Sequence, residues 1–200
     1  MAVAVTDARE RYWTYDDLKE LPDDGRRWEI IGGALVEMTG PTLLHAQVLS
    51  NLTELLLPSV RSASARWYGA PVDVFLTGDS VVQPDFSVVL PDGRARRTIR
   101  GLEGPPDLVV EVVSPSNRDH DRLTKRALYG LAGVREYWLV DPETRTVEIL
   151  VLDRDALHGH AVRTGGDMVG SPLLPEAAFA ADDVFAWLDE IEEPAAPAGA

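Results

Sequence analysis

The sequence predicts an α/β fold that borders on α+β, with a mixed central β-sheet flanked by helices. Three observations lead to this class: a β-hairpin pattern over residues 27–38, an amphipathic helical pattern over 45–57 and a strand–helix–strand succession over 107–140. The succession implies a right-handed crossover between parallel strands, whereas a hairpin joins antiparallel strands. The predicted sheet is therefore mixed.

The N-terminal part of the chain predicts a short helix followed by the hairpin. Thr14 with Asp17 three residues later resembles a capping box, which begins a helix. Strand-forming residues at 27–31 and 34–38 flank Gly32-Gly33. Because glycine accepts the positive φ angles of a tight turn, this pattern favours a hairpin.

The next segments predict one helix and two strands. Apolar side chains recur at helical spacing over residues 45–57, and Pro58 should end that helix. Within residues 71–77, Val72, Val74 and Leu76 alternate with Asp73, Phe75 and Thr77, which is typical of a half-buried strand. Asp85 opens the apolar strand 86–90.

The second half of the chain predicts a central strand and its neighbours. The strand predicted over 107–113 is apolar on both faces after Asp107 apart from Glu111, as expected for a strand inside a sheet. The remaining predicted elements are a loop over 91–106, a helix over 119–132 stopped by Gly133, strands over 136–140 and 146–152, and a C-terminal helix over 182–191.

Length and composition favour one domain of a soluble protein. The 200 residues predict a single domain over 14–191, a flexible N-terminus over 1–13 and a disordered tail over 192–200. The chain lacks cysteine, which excludes disulfides and thiolate zinc sites and favours the cytoplasm. No stretch approaches the ~20 apolar residues of a membrane span.

The charge of the chain argues against broad attraction to nucleic acid or anionic membranes. The formal net charge is −14 and the sequence pI is about 4.6. One basic strip departs from this pattern, with Arg94, Arg96, Arg97 and Arg100 in the predicted loop. The strip is either a solvated loop or a phosphate contact, and the sequence does not distinguish them.

Two carboxylates fall inside segments that otherwise predict buried strands. Asp85 precedes an apolar run, and Glu111 shares a strand face with Val109 and Val113. Burying an ionised carboxylate costs several kcal/mol unless a cation or hydrogen bonds compensate it. The pair therefore predicts a cation site, the alternative being that Glu111 pairs with an arginine or faces water at a sheet edge.

A lysine follows these acids on the predicted helix. Lys125 is one of only two lysines in a chain with 19 Lys and Arg residues, and Asp121, Lys125 and Tyr129 recur at four-residue spacing. Two strand acids and a lysine form a constellation used for phosphodiester hydrolysis, in which the acids hold a divalent cation and the lysine orients water. The alternative is a surface Asp121–Lys125 ion pair.

An ordered set of motifs carries a family resemblance from about Thr14 to about Leu188. The set comprises residues 28–35, His45, Gln83-Pro84-Asp85, residues 107–116, Asp119, Lys125, Tyr129 and residues 133–142. These motifs resemble the Uma2 family of restriction-endonuclease-like proteins, which is assigned to the PD-(D/E)XK nuclease superfamily. The resemblance implies a restriction-endonuclease-like fold.

The resemblance also implies roles for individual residues. Asp85 and Glu111 would ligate Mg²⁺ or Mn²⁺, with the Val112 carbonyl as a third protein ligand. Val113 occupies the position of the superfamily lysine, so the missing amine is assigned to Lys125 from the following helix.

Further roles are implied for residues outside the two strands. Glu29 would be an additional metal ligand or a base that orients water, or else a hairpin acid that faces solvent. His45 would contact phosphate or support the metal ligands, or else be a capping or exposed histidine. The predicted substrate-binding residues are His45, Arg94, Arg96 and Arg97.

The resemblance thus implies a Mg²⁺- or Mn²⁺-dependent endonuclease that acts on double-stranded DNA. A homodimer is expected because two strands call for two sites, and the acidic charge predicts weak DNA binding that is strongest at low salt. The alternative is a non-catalytic interaction or regulatory module that keeps the nuclease fold. Hydrolysis of RNA or of a smaller phosphoester also remains open.

Overall fold

The structure is a computed structural model and describes residues 11–114 and 120–192. Residue 119, where a helix is predicted to begin, and most of the predicted flexible N-terminus and tail lie outside these residues. The helices are α1 (Tyr15–Lys19), α2 (Leu43–Ser62), α3 (Arg126–Ala132) and α4 (Ala181–Val184), with a π-helical turn at His120–Lys125 and a 3-10 turn at Leu188–Glu190. The strands are β1 (Arg27–Ile31), β2 (Ala34–Met38), β3 (Arg66–Gly69), β4 (Val74–Thr77), β5 (Ser80–Val82), β6 (Phe86–Val89), β7 (Arg96–Thr98), β8 (Gly101–Glu103), β9 (Leu108–Val112), β10 (Glu136–Asp141), β11 (Thr146–Asp153), β12 (Ala156–Thr164), β13 (Met168–Gly170) and β14 (Ala178–Ala180).

The described strands form two six-stranded sheets and a small two-stranded one. The N-terminal sheet has the strand order β2-β1-β5-β4-β8-β7, and the central sheet has the order β12-β11-β10-β9-β6-β3. Both sheets are mixed, because β9 and β10 are parallel, as are β4 and β8, whereas the other pairs are antiparallel. The predicted mixed class is confirmed, and β9 and β10 are the parallel strands of the predicted crossover.

The central sheet separates two hydrophobic cores. Along β9, Leu108 and Val110 belong to the core that contains α2 and the C-terminal elements. Val109 and Val113 belong to the core formed with α3 and the N-terminal sheet. Because side chains alternate along a strand, Glu111 points into this second core.

The predicted capping box and hairpin are both confirmed. The Thr14 side chain accepts a hydrogen bond from the Asp17 N–H, and the Asp17 carboxylate accepts one from the Thr14 N–H at 2.8 Å. β1 and β2 pair antiparallel around Gly32, whose φ of 56° lies in the left-handed region. Both features depend on short-range contacts, which explains why the sequence predicts them.

Pro58 does not end α2, contrary to the sequence prediction. The helix continues to Ser62, and Ser59 and Val60 beyond the proline are buried. Proline removes the hydrogen bond to the Glu54 carbonyl, but both residues are exposed, so water can satisfy that carbonyl. Burial of the last turn therefore outweighs the lost hydrogen bond.

The predicted loop over residues 91–106 contains a short hairpin, so the arginine strip does not lie in one loop. β7 and β8 pair with Arg96 opposite Glu103, and the Arg96 guanidinium donates to that carboxylate. β8 also pairs with β4. The local sequence has little strand propensity, so these long-range partners determine the strands.

The C-terminal region also departs from the prediction. β12 is a nine-residue strand that the sequence reading omits, and the helix predicted over 182–191 is interrupted. Asn51 of α2 donates to the carbonyls of Val184 and Ala186. Trp187 has a φ of 70°, which lies outside the α-helical range and therefore interrupts the helix. None of the helices within 11–114 and 120–192 has the length and apolar character that a membrane crossing requires.

Candidate active site

Asp85 and Glu111 lie side by side on neighbouring strands. β6 and β9 pair with Phe86 opposite Val110, and this register places Asp85, directly before β6, opposite Glu111. The Asp85 Oδ2 atom accepts a hydrogen bond of 2.8 Å from the Val112 N–H. The structure thus brings together the two strand acids that the sequence singles out.

Lys125 lies among three carboxylates. Its Nζ is 2.9 Å from Glu111 Oε1, 3.2 Å from Glu29 Oε1 and 3.8 Å from Asp121 Oδ1. Each of these four side chains belongs to a residue that is at most 5% exposed. Two alternatives are therefore wrong: Glu29 does not face solvent, and Asp121 and Lys125 do not form a surface pair. The four residues and Asp85 are called the carboxylate cluster below.

Gln83 connects the carboxylate cluster to the N-terminal sheet. Its backbone N–H donates to Glu29 Oε1 at 2.8 Å. Its side-chain oxygen accepts from Arg27, and its Nε2 donates to Asp73 Oδ1 at 2.9 Å. The side chain therefore fixes the backbone that orients Glu29. The sequence analysis assigns no individual role to Gln83. Its side-chain partners Asp73 and Arg27 are 10 and 56 residues away in the chain, so no short sequence pattern indicates these contacts.

The carboxylate cluster carries more negative charge than its lysine neutralises. Burial raises the pKa of Glu111 to about 8; Lys125 opposes this shift, and Asp85, Asp121 and Glu29 add to it. Burial likewise raises the pKa of Asp121 to about 6. Burial lowers the pKa of Lys125, but the surrounding carboxylates raise it well above its ordinary value. Lys125 is therefore an ammonium at neutral pH.

Tyr129 adds an uncharged hydrogen-bond donor to the site. Its hydroxyl donates to Glu111 Oε1 at 2.6 Å, beside the bond from Lys125 to the same oxygen. Burial, together with nearby Glu111, raises the pKa of Tyr129 well above its ordinary value, so the hydroxyl keeps its proton. The four-residue spacing of Asp121, Lys125 and Tyr129 is the sequence signal that places all three on one side of the helix.

His45 lies where the carboxylate cluster approaches solvent. Its Nε2 is 3.0 Å from Asp85 Oδ2, and the two side chains are 17% and 14% exposed. Thr42 is the capping residue of α2 and accepts from the His45 N–H at 3.2 Å. The His45 Nδ1 atom is buried without a hydrogen-bond partner among the described residues. His45 is therefore neither the cap nor a freely exposed histidine.

Comparisons with known proteins identify the family. The Uma2 family model, described as "Putative restriction endonuclease", matches residues 15–182. The chain belongs to the Uma2 family. A crystal structure from Anabaena variabilis ATCC 29413, described as "a putative nuclease belonging to DUF820", has a TM-score of 0.69 and 25% sequence identity, covering 88% of this chain and 99% of that chain. No curated protein matches the chain. The predicted family resemblance is confirmed.

Pro84 leaves a backbone carbonyl open beside the carboxylates of this Uma2 chain. Amide directions alternate along β9: the Val113 N–H donates to the Val140 carbonyl, whereas the Val112 N–H donates to Asp85 on the opposite side. The Val112 carbonyl points to the same side as its own N–H. The β6–β9 register, extended by two residues, places Pro84 opposite Val112, and proline has no N–H to donate.

These donors fit a divalent cation that prefers oxygen ligands. The hydrogen bonds that described residues make to Glu111 and Asp85 reach Oε1 and Oδ2 respectively, which leaves Glu111 Oε2 and Asp85 Oδ1 as spare ligands. Residues 11–114 and 120–192 contain no group of three His, Cys, Asp or Glu side chains that could hold an ion. The protein donors available to an ion are two carboxylates and the Val112 carbonyl. This small number suits Mg²⁺, because Mg²⁺ commonly retains several waters.

The predicted substrate-binding arginines of the Uma2 chain make other contacts. Arg94 donates to the Gly133 carbonyl at the end of α3 at 2.6 Å, and Arg96 and Arg100 both pair with Glu103. Within the described chain, no hydrogen bond or ion pair links these three arginines or the exposed Arg97 to the carboxylate cluster. Their contact with substrate stays a prediction.

Proposed function

We propose that this Uma2 chain is a metal-dependent endonuclease that hydrolyses phosphodiester bonds in double-stranded DNA. The observation that carries the proposal is the carboxylate cluster, in which three buried carboxylates surround one ammonium and Asp85, 14% exposed, lies beside Glu111. Such an excess of buried negative charge is costly without a further cation. A divalent cation would offset this charge and would fit the oxygen donors at the start of β6 and the end of β9.

Asp85, Glu111 and the Val112 carbonyl would hold Mg²⁺ or Mn²⁺. When bound, the ion acts as a Lewis acid on the phosphate and lowers the pKa of a coordinated water. The Val112 N–H and His45 hold Asp85 in place, and Tyr129 holds Glu111. These contacts fix ligand orientation before substrate arrives, which reduces the cost of reorganisation during the reaction.

Lys125 and Glu29 would act on the water and the phosphate. Because its neighbours keep Lys125 protonated, we assign it to orienting water and offsetting phosphate charge by hydrogen bonds, and not to removing a proton. Glu29 Oε1 lies 3.2 Å from Nζ, and we assign its carboxylate to orienting the attacking water.

DNA would approach from the side of His45, since Asp85 and His45 are the more exposed part of the site. The formal charge of −14 opposes binding, so we propose weak association that is strongest at low salt, with His45, Arg94, Arg96 and Arg97 as candidate phosphate contacts. We also propose a homodimer, because cutting both strands calls for two sites.

Cleavage of supercoiled plasmid at low salt tests this function. The wild type should nick or cut the plasmid with Mg²⁺ or Mn²⁺ and stop in chelator, and Glu111→Gln should be inactive. Asp107→Asn is the matched control, because Asp107 is buried at 4% exposure beside β9 but bonds Leu90 and Arg135 outside the cluster. Parallel assays use RNA and bis(p-nitrophenyl) phosphate. Absence of metal-dependent hydrolysis of all three substrates would favour a non-catalytic interaction module.

A further inference from the structure

We propose that Asp121 is a positioning residue of this site, whose carboxylate keeps the Lys125 ammonium in place when Glu111 binds a divalent cation. The inference rests on the proposed function and adds a residue to Glu29, Asp85, Glu111 and Lys125. Asp121 would act through Lys125 and would touch neither the metal nor the substrate.

The contacts of Lys125 are unequal. Its ammonium forms a hydrogen bond with Glu111 at 2.9 Å, whereas Asp121 at 3.8 Å is an ionic neighbour beyond hydrogen-bond distance. Glu29 Oε1, at 3.2 Å, already accepts the Gln83 N–H. The Asp121 carboxylate makes no hydrogen bond with other described residues and can therefore accept one from Lys125 after a small movement.

A cation on Glu111 would change this balance. The cation would draw electron density from the Glu111 carboxylate. It would also repel the nearby Lys125 ammonium, since the cation and the ammonium both carry positive charge. An ammonium has three N–H donors that need acceptors when it is buried. Asp121 offers a charged acceptor on the same helical turn, so Lys125 can remain close to the reacting phosphate.

The backbone around Asp121 is well anchored. The Tyr137 hydroxyl donates to the Asp121 carbonyl at 3.2 Å, and Arg122 on the same turn pairs with Glu148 at 2.8 Å. The carboxylate of Asp121 is not needed for either contact. Burying it at 5% exposure is costly for folding, and the proposed role explains why the chain retains it.

Amine labelling tests the proposal without relying on cleavage. The chain has two lysines, and Lys19 is exposed, so it serves as an internal reference for acylation by a small amine-reactive ester. Peptide mass spectrometry would follow Lys125 with and without Mn²⁺ in the wild type, Asp121→Asn, Asp121→Glu and Glu148→Gln. Glu148→Gln is the matched control, because it loosens the same turn without touching Lys125.

In Mn²⁺, Lys125 should be acylated several-fold faster in Asp121→Asn than in the wild type, and Asp121→Glu should restore protection. Glu148→Gln should behave as the wild type. The kcat of Asp121→Asn for plasmid should fall by about tenfold or more at unchanged KM, because the amine is misplaced, and calorimetry should give an unchanged Kd for Mn²⁺.

Equal protection of Lys125 in Asp121→Asn and the wild type would overturn the proposal, as would equal loss of protection in Glu148→Gln. Failure of Asp121→Glu to restore protection would also overturn it, and this variant covers the case in which Asp121→Asn does not fold. If the wild type cleaves no substrate, the proposed function fails while the labelling result still tests the role of Asp121.

Discussion

The Lys125 ammonium lies 2.9 Å from Glu111 Oε1, although the two residues belong to different elements. In the superfamily pattern that the sequence resembles, the lysine follows the acid by two residues on the same strand. Here that position holds Val113, which is 3% exposed and packs in the core on the Glu111 side of β9. An amine therefore reaches the strand acid from the adjoining helical turn.

Divalent metal should stabilise the folded protein through Asp85. Millimolar Mn²⁺ should raise the melting temperature, with a stabilisation of roughly RT ln(1 + [L]/Kd), or ~2.7 kcal/mol at a hundredfold excess over Kd. Asp85→Asn should remove most of this shift, because it replaces a charged ligand at nearly constant volume. Differential scanning fluorimetry checks this, with Asp107→Asn as a control that lowers stability but keeps the shift. A metal-indifferent wild type would exclude the proposed ion site.

Replacing Lys125 should expose the repulsion among the carboxylates. In chelator, Lys125→Met should lower the free energy of unfolding by about 3 kcal/mol, the usual cost of removing one partner of a buried ion pair. Mn²⁺ should recover much of this loss, and cleavage should remain greatly reduced even with metal. Urea denaturation with and without Mn²⁺ measures the free energy of unfolding. Lys125→Arg is the control, because it keeps the positive charge that Lys125→Met removes. A fully active Lys125→Met enzyme would remove Lys125 from the mechanism.

Pro84 should favour metal binding because it has no N–H group that could occupy the Val112 carbonyl. Pro84→Ala supplies a backbone donor opposite the Val112 carbonyl, and this donor would compete with the ion for that oxygen. We expect affinity for Mn²⁺ to fall by about tenfold, as for other changes around metal ligands. Calorimetry measures the Kd, and Pro106→Ala serves as a control proline near the start of β9. Unchanged affinity in Pro84→Ala would argue against the Val112 carbonyl as a ligand.

The metal-free protein should lose stability as the pH rises from about 5 to about 8. The pKa of Asp121 is raised to about 6 and that of Glu111 to about 8, so the folded state holds more protons than the unfolded state in this window. Unfolding then releases protons, and the free energy of unfolding falls by up to ~1.4 kcal/mol per pH unit for each proton released. Lys125 contributes no slope, because it is protonated in both states.

Urea denaturation in chelator at several pH values tests this expectation. Glu111→Gln should flatten the pH dependence between about 6 and 8, where Glu111 is the main titrating group of the cluster. A wild type whose stability rises over this range would show that the carboxylates are compensated in some other way.

The sequence by itself determined the features that depend on neighbouring residues. The Thr14 capping box and the Gly32-Gly33 hairpin follow from contacts within a few positions of the chain. Asp85 and Glu111 can also be recognised from their sequence neighbours, because a charged residue is unusual within an apolar strand. The helical spacing of Asp121, Lys125 and Tyr129 adds Lys125, the family motifs add Glu29, and the structure brings these four site residues, Glu29, Asp85, Glu111 and Lys125, together.

Tertiary structure decided the features that depend on distant partners. Strands β7 and β8 form because β8 pairs with β4 on one side and β7 on the other, and α2 continues past Pro58 because its last turn is buried. The same applies to Asp121, whose four-residue spacing from Lys125 fits a surface pair as well as a buried one. Spacing along a helix shows which side chains share a side, whereas burial depends on what packs against that side. Here the packing of the π-helical turn over β9 converts an ordinary Asp–Lys spacing into part of the candidate active site.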